Sequence, residues 1–148
     1  MFTNDSTETK RASIGSLIVF QSEVNALSFI EETNPSGEYI LIKHEGIFTI
    51  EEFEKSTRST KALLDEHRWN KLLVDLRGVT NRIPLANVYY IIELDKKVFP
   101  SERIAVVFPL DREEDARFAE TVAENRGVNL KAFTNNGKAL HWLTARHA

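Results

Sequence analysis

Three strand-like segments, of which the first two are nearly continuous apolar runs, most limit what this chain can fold into, because each is followed by a stretch long enough for a helix. They lie at 72–76, 104–108 and 128–133. Apolar runs of this length are typical of strands covered on both faces, and strands separated by helices pair in parallel through crossovers. Pro84 opens the helix after the first strand, Pro100 ends it, and Gly127 suits the left-handed position after the next helix. The second half therefore predicts a β-α-β-α-β-α unit.

The first half of the chain predicts a hairpin. Segments of strand character lie at 17–20, 26–30 and 38–43, of which the first two are either two short strands or one bent strand. The Asn-Pro-Ser-Gly motif at 34–37 has turn chemistry, and a short connection joins antiparallel neighbours. Thr49 and Glu52 have the spacing of a capping box at a helix start. We therefore predict an α/β fold, with a mixed sheet of five or six strands and about four helices.

The composition suits one globular domain and excludes several classes of function. The 148 residues carry a formal net charge of −3, and general nucleic-acid binding requires a basic surface. The absence of cysteine excludes disulfides, thiolate nucleophiles and cysteine-based zinc sites. No apolar run approaches the roughly 18 residues of a membrane span, and the polar start is not a secretory signal, so we expect a cytoplasmic protein. We expect a flexible N-terminal arm at 1–13 and one domain at 14–148.

Three stretches of sequence resemble the SpoIIAA-like group of the STAS superfamily, the fold of the anti-sigma-factor antagonists. They are KLLVDLRGV at 71–79, ERIAVV at 102–107 and LDREEDARFAETVAENRGVNLKAFTNNGKALHWL at 110–143. In element order the resemblance covers about residues 17–143. It implies a single STAS-like domain with a regulatory or binding role.

The chain departs from this group at the position that controls binding. In anti-sigma antagonists a strand ending in Asp-Leu-Ser is followed by Asp-Ser-Ser-Gly, whose serine is phosphorylated by a partner kinase. This chain has Asp-Leu at 75–76, but Ile-Pro-Leu-Ala at 83–86. The switch is therefore not carried over to any residue, and Thr80 is the nearest hydroxyl. The same fold resembles the CRAL–TRIO lipid-transfer domains, which by fold analogy implies a non-polar ligand under the helices.

The loops after the parallel strands contain candidate binding residues. Ligands of open α/β sheets gather at the carboxyl ends of the strands, where the strand order switches. The loop at 77–82 offers two arginines and the next helix adds free amides, which suits an anion or an acidic peptide; the alternative is a solvated polar loop. Tyr90 and Ile91 either cover a pocket, form a dimer patch or belong to a deeply buried helix. The candidate binding residues are Arg77, Thr80, Asn81, Arg82, Tyr90, Ile91, Asp111 and Arg112.

The sequence contains no recognisable catalytic or metal-binding motif. No two histidines have the i,i+4 spacing of a helical metal site, and there is no Gly-x-Ser-x-Gly motif. Asp75 lies in an apolar strand, where it is either a proton-transfer group or a strand-end residue that caps local amides. We expect no catalytic residue, no metal and no cofactor.

Two functions follow from these observations. The first is a non-enzymatic STAS-like regulatory or binding module for an unknown protein partner, without the phosphorylatable serine. The alternative is a carrier or sensor of a small non-polar, lipid-like ligand held between helices and sheet. The first predicts a core without a pocket and binding through Arg77 and Arg82, whereas the second predicts a co-purifying lipid. A homodimer is compatible with both.

Overall fold

The structure is a computed structural model that describes the backbone of residues 9–14, 17–22 and 28–146 and the side chains of residues 29–146. The strands are β1 (Thr9–Ile14), β2 (Leu17–Ser22), β3 (Ser28–Asn34), β4 (Tyr39–Gly46), β5 (Lys71–Val79), β6 (Arg103–Val107) and β7 (Leu130–Phe133). The helices are α1 (Ile50–His67), α2 (Leu85–Val98), α3 (Glu113–Asn125) and α4 (Asn136–Thr144), and a 3₁₀ turn (Leu110–Arg112) precedes α3.

The strands form one mixed sheet whose spatial order follows the chain from β1 to β7. β1 to β4 pair antiparallel, and β4 to β7 pair parallel. The predicted α/β class, with a mixed sheet and four helices, is confirmed. Among the described residues the sheet has seven strands, one more than the prediction allows, because β1 adds a further edge strand. β1 overlaps the predicted arm at 1–13, of which residues 1–8 lie outside the described part of the chain, as do residues 26 and 27 of the predicted strand at 26–30.

The three crossover helices lie on one face of the sheet. Crossovers of the same hand that advance in the same direction place their helices on the same side. α1, α2 and α3 accordingly share one hydrophobic core, whereas α4 packs on the opposite face against β5, β6 and β7. Because the order of the described strands never reverses, their sheet has no switch point. This removes the topological reason for expecting a ligand at the strand ends.

The two faces of the sheet follow from the alternation of side chains along each strand. In β5, Leu72 and Leu76 point into the larger core under α1, α2 and α3, whereas Leu73 points into the smaller core under α4. The larger core also buries Leu64 from α1 and Ile92 from α2, both almost completely. The helices α1, α2 and α3 and the sheet therefore enclose the larger core between them.

Most of the predicted helix signals are present in the structure. Thr49 Oγ1 accepts the backbone amide of Glu52 at 3.2 Å, and Asn135 Oδ1 accepts the amide three residues later at 2.8 Å. Gly127 has a positive φ of 76°, as its place after α3 predicted. The reciprocal half of the Thr49 capping box is wrong. The Glu52 carboxylate is fully buried without a hydrogen-bond partner among the described residues, and lies 4.0 Å from Lys55 Nζ.

Candidate functional site

A cavity of about 90 Å³ lies inside the larger core, between the sheet and α1, α2 and α3. We call it the core cavity. Its wall is mainly apolar and includes Ile42, Phe53, Leu72, Ile91, Phe118 and Ala119. The volume is well below the roughly 300 Å³ at which sites for drug-sized ligands begin. The core cavity therefore suits a small or slender apolar molecule.

One end of the core cavity lies at the carboxyl ends of the parallel strands. Ile83 and Leu85, which follow β5, line this end together with Pro109 and Arg112, which follow β6. Leu85 is 59% exposed, so the cavity wall reaches the surface of the protein here. A ligand that enters along this route passes the first turn of α2 before it reaches the apolar interior.

His44 is one of two buried titratable groups that face the core cavity. It lies on β4, where Ile40, Ile42 and His44 alternate towards the larger core. Its Nε2 atom is 3.5 Å from Ser56 Oγ, and its Nδ1 atom has no hydrogen-bond partner within the described part of the chain. Burial lowers the pKa of His44 to about 4, so the ring is neutral at pH 7.

Asp95 is the other buried titratable group of the core cavity. It lies on α2, is 6% exposed, and its backbone carbonyl accepts the amide of Phe99 at 2.8 Å. No group among the described residues hydrogen-bonds to its carboxyl side chain. Burial raises the pKa of Asp95 to about 8, so the carboxyl group is mostly protonated at pH 7. Asp95 therefore presents a neutral hydrogen-bond donor in an apolar wall.

The predicted binding residue Arg77 lies on β5, which extends to Val79, so the loop predicted at 77–82 begins only at Thr80; we keep the name 77–82 loop for the whole segment. Arg77 is paired with its near neighbour Asp75. The Arg77 backbone amide and Nε each donate to Asp75 Oδ1 at 3.0 Å, and Nη2 donates to Oδ2 at 2.8 Å. Burial alone would raise the pKa of Asp75, but these hydrogen bonds outweigh it and hold the pKa below its usual range. Asp75 has the same parity along β5 as Leu73, so this pair lies on the side of the sheet away from the core cavity. The geometry favours the structural role predicted for Asp75 over proton transfer.

The structure brings Thr80, Asn81 and Arg112 together. Arg112 Nη1 donates to the Asn81 carbonyl at 2.7 Å, and Nη2 donates to the Thr80 carbonyl at 3.2 Å. The Asn81 side chain accepts the Phe48 amide at 2.7 Å and donates to the Phe48 carbonyl at 3.1 Å. These bonds tie the 77–82 loop to the segment before α1 and to the turn before α3. The Asn81 and Arg112 side chains thus already have partners within the protein, whereas Thr80 takes part through its backbone carbonyl.

The remaining predicted residues are spread over the surface. Arg82 is exposed and its Nη2 donates to Asp115 Oδ1 at 2.6 Å. Asp111 is exposed in the 3₁₀ turn, and Tyr90 is 43% exposed on α2. Of the eight predicted binding residues, Ile91 and Arg112 line the core cavity. The structure therefore does not assemble the eight into one site.

Asp95 was not predicted as a functional residue, although the sequence carries a signal for it. The apolar stripe of α2 recurs at Val88, Ile92 and Phe99. Asp95 is three residues after Ile92 and four before Phe99, which places it on the same side of the helix. A carboxyl group on the buried stripe of a helix is a recognisable sign of an unusual environment.

Two further classes of site are not seen in the described residues. No group of three or more His, Cys, Asp or Glu side chains that could hold a metal ion occurs among them. None of the helices within that part of the chain is long and apolar enough to cross a membrane.

No protein-family model matches the chain, and no curated protein matches it. Among solved structures, it is similar to an uncharacterized protein from the DUF3478 family of Shewanella loihica PV-4, described as having a SpoIIAA-like fold and solved at 2.25 Å. The two are 20% identical with a TM-score of 0.55, and the match covers 83% of this chain and 98% of that chain. This chain has a SpoIIAA-like fold. The fold implied by the resemblance in sequence is thereby confirmed.

Two residues of the segment at 83–86, Ile83 and Leu85, line the core cavity. Thr80, the hydroxyl nearest to this segment, is exposed, and its backbone amide donates to the Gly46 carbonyl at 2.9 Å. Ile83 and Leu85 therefore add apolar wall at the open end of the cavity.

Proposed function

We propose that this protein binds a small non-polar ligand in the core cavity and acts as its carrier or sensor. The observation that carries the proposal is an apolar cavity within the core whose wall reaches the surface at Leu85. A core without a pocket was expected for the first predicted function, the STAS-like regulatory or binding module. The cavity therefore supports the alternative, a ligand carrier or sensor, more strongly.

The energetics of the cavity also support an apolar ligand. Apolar surface removed from water contributes roughly 25 cal/mol per Å², and cavities lined by apolar side chains stay dry and accept apolar guests. A guest here would gain contacts with Ile91, Phe118 and Ala119 without displacing well-bound water. We expect the protein to be more stable when the cavity is filled.

A partner-binding module is the second candidate function, and exposed apolar side chains support it. Ile47, Leu85 and Leu110 are 59%, 59% and 80% exposed, and they follow β4, β5 and β6 at the same edge of the sheet. Charge recognition by the 77–82 loop has weaker support because Arg77 and Arg82 are already ion-paired. Reversing both charges tests it: unchanged partner binding at low salt would reject the loop as the contact surface.

The ligand-binding proposal is tested by titrating the isotope-labelled protein with benzene and following the amide resonances. We expect saturable shifts at residues around the core cavity. Ala119→Leu places three more carbon atoms in the cavity and should abolish those shifts. Ala62→Leu is the matched control, because Ala62 is exposed on α1 and adds the same atoms outside the cavity.

A second cavity-filling variant keeps the test informative if Ala119→Leu does not fold. Ile91→Phe enlarges a half-buried side chain of the cavity wall. Circular dichroism establishes whether each variant is folded. The proposal is contradicted if benzene does not bind the wild type, or if folded Ala119→Leu and Ile91→Phe bind it as well as Ala62→Leu does.

A further inference from the structure

We propose that Asp95 is the recognition group of the core cavity and selects an uncharged ligand that carries a hydrogen-bond acceptor, such as a ketone or ester carbonyl. This inference rests on the proposed function and adds the chemical class of the ligand to it. In the bound state the protonated carboxyl group of Asp95 donates its O–H to the acceptor oxygen of the ligand.

Asp95 is buried in the wall of the core cavity, where a ligand would contact it. Its side chain lines the core cavity and is 94% removed from solvent, since the residue is 6% exposed. Buried polar side chains almost always have a hydrogen-bond partner in folded proteins. No such partner for this carboxyl group exists within the described residues, so the vacant hydrogen bond faces the space that a ligand would fill.

The chemistry of the surroundings selects the class of ligand. The wall next to Asp95 is formed by apolar side chains, among them Ile92 and Phe99 of its own helix. A cationic ligand would bury two charges in this wall, and their desolvation opposes binding. A carboxylate ligand would face the same penalty without an opposite charge on Asp95. A neutral acceptor needs only one hydrogen bond from the protonated acid.

The other charged groups near the cavity do not take this role. His44 from β4, Arg112 from the 3₁₀ turn and Asp115 from α3 are the other titratable side chains in its wall. α1 contributes the hydroxyl groups of Ser56 and Thr57, and the parallel strands after β4 contribute apolar side chains. Burial is the cause of the raised pKa of Asp95 at about 8.

Lys61 on α1 pairs with two carboxylates outside the core cavity. Its Nζ lies 3.3 Å from Asp65 and 3.5 Å from Glu102, and it does not line the cavity. Arg112 donates to backbone carbonyls of the 77–82 loop at the open end. Asp95 is therefore the acid whose protonation decides hydrogen bonding inside the cavity.

The test compares two neutral probes of the same shape. Cyclohexanone has a carbonyl oxygen where methylenecyclohexane has a CH₂ group, and water solvates the carbonyl more strongly. The hydrogen bond to Asp95 is therefore measured by how the ratio of the two dissociation constants differs between the wild type and Asp95→Leu, because probe hydration is the same in both. At about pH 6.5 we expect this ratio to favour cyclohexanone roughly threefold to tenfold more in the wild type than in Asp95→Leu, as one neutral hydrogen bond contributes. Amide-shift titrations measure both constants.

Two variants and a pH change complete the experiment. Asp95→Leu removes the donor and gives the reference ratio, whereas Asp95→Asn keeps an N–H donor and should retain the wild-type ratio. At about pH 9.5 the wild-type acid is ionised and can only accept, so its ratio should fall to that of Asp95→Leu while that of Asp95→Asn persists. Changes elsewhere in the protein affect both neutral probes alike and cancel in the ratio.

The outcomes separate this inference from the proposed function. Equal probe ratios in the wild type and Asp95→Leu would overturn the role of Asp95 and leave the cavity as a ligand site. Tighter binding of cyclohexylamine, lost in Asp95→Asn, would overturn the neutral class in favour of a cation. Failure of all probes to bind would overturn the proposed function itself.

Discussion

One buried aspartate, Asp75, lies next to the 77–82 loop, and another, Asp95, lines the core cavity. The two aspartates have opposite environments. Asp75 accepts three hydrogen bonds from Arg77, which hold its pKa below the usual range despite burial. Asp95 has no such partner within the described residues, and burial raises its pKa to about 8. One carboxyl group is therefore kept charged by the protein, and the other is kept neutral.

This difference distinguishes polar groups that stabilise the fold from polar groups that remain available to a ligand. The loop is rich in charged and amide groups, but Arg77, Asn81 and Arg82 use them to hold the protein together. The core cavity is poor in polar groups, and Asp95 there has an unused hydrogen bond. A binding site is thus better located by unmet hydrogen-bonding capacity that faces a cavity than by the number of polar residues, since the Glu52 carboxylate, which has no hydrogen-bond partner among the described residues, does not line the core cavity.

The largest expected effect is on the stability of Asp95→Asn at about pH 8.5. The wild type must either bury an ionised carboxylate or take up a proton there, whereas the amide requires neither. We expect the variant to gain roughly 2–5 kcal/mol in the free energy of unfolding, measured by urea denaturation. A loss of stability at this pH would show that Asp95 has a partner in the folded state.

The matched substitution Asp75→Asn should change stability in the other direction. It removes charge-assisted hydrogen bonds from Arg77 and should lower the free energy of unfolding by about 1–3 kcal/mol at neutral pH. Because the folded pKa of Asp75 is depressed, this contribution is present above the unfolded pKa and disappears as the pH falls through the folded pKa. Asp111→Asn on the exposed 3₁₀ turn is the control and should be nearly neutral.

The pH dependence of the wild-type free energy of unfolding reports on Asp95 directly. Between about pH 6.5 and pH 8 the folded protein retains a proton on Asp95 that the unfolded chain has lost, so stability should fall by up to about 1.4 kcal/mol per pH unit. The lowered pKa of His44, about 4, has the opposite effect, but only below the unfolded pKa of roughly 6.5. Asp95→Asn should give a flat profile over this interval. An identical decline in both proteins would assign it to another group.

The smallest effect is expected for Arg82→Ala. Its ion pair with Asp115 is solvent-exposed, and exposed pairs contribute little to stability. Benzene affinity should be unchanged, because Arg82 does not line the core cavity. A clear loss of benzene binding in this variant would show that the loop and the cavity act as one site.

The parallel half of the fold could be predicted from local signals. β5 and β6 contain nearly continuous apolar runs, the segment 128–132 that includes most of β7 alternates apolar and polar residues, and Pro84 and Gly127 mark helix boundaries next to them. The edge strand β1 could not, because its sequence, TKRASI, has few apolar residues and its pairing with β2 depends on the rest of the sheet. The strand count consequently exceeds the prediction.

The candidate site was harder to predict than the fold, for two physical reasons. Whether an arginine is free depends on distant partners: Arg82 finds Asp115, 33 residues away. A cavity is a property of three-dimensional packing and has no sequence motif. Asp95 was nevertheless readable from its place on the apolar stripe of α2, and His44 from its alternation with Ile42 in β4.

Whether the core cavity holds a ligand is tested most directly by native mass spectrometry of the protein freshly purified from its own host, with the denatured mass as reference. We predict additional mass that disappears on denaturation and is absent from Ala119→Leu but present in Ala62→Leu. The identity of the released compound would then show whether it carries the acceptor that Asp95 requires. A wild-type protein with the bare polypeptide mass, identical to that of Ala119→Leu, would contradict the claim that the core cavity holds a ligand.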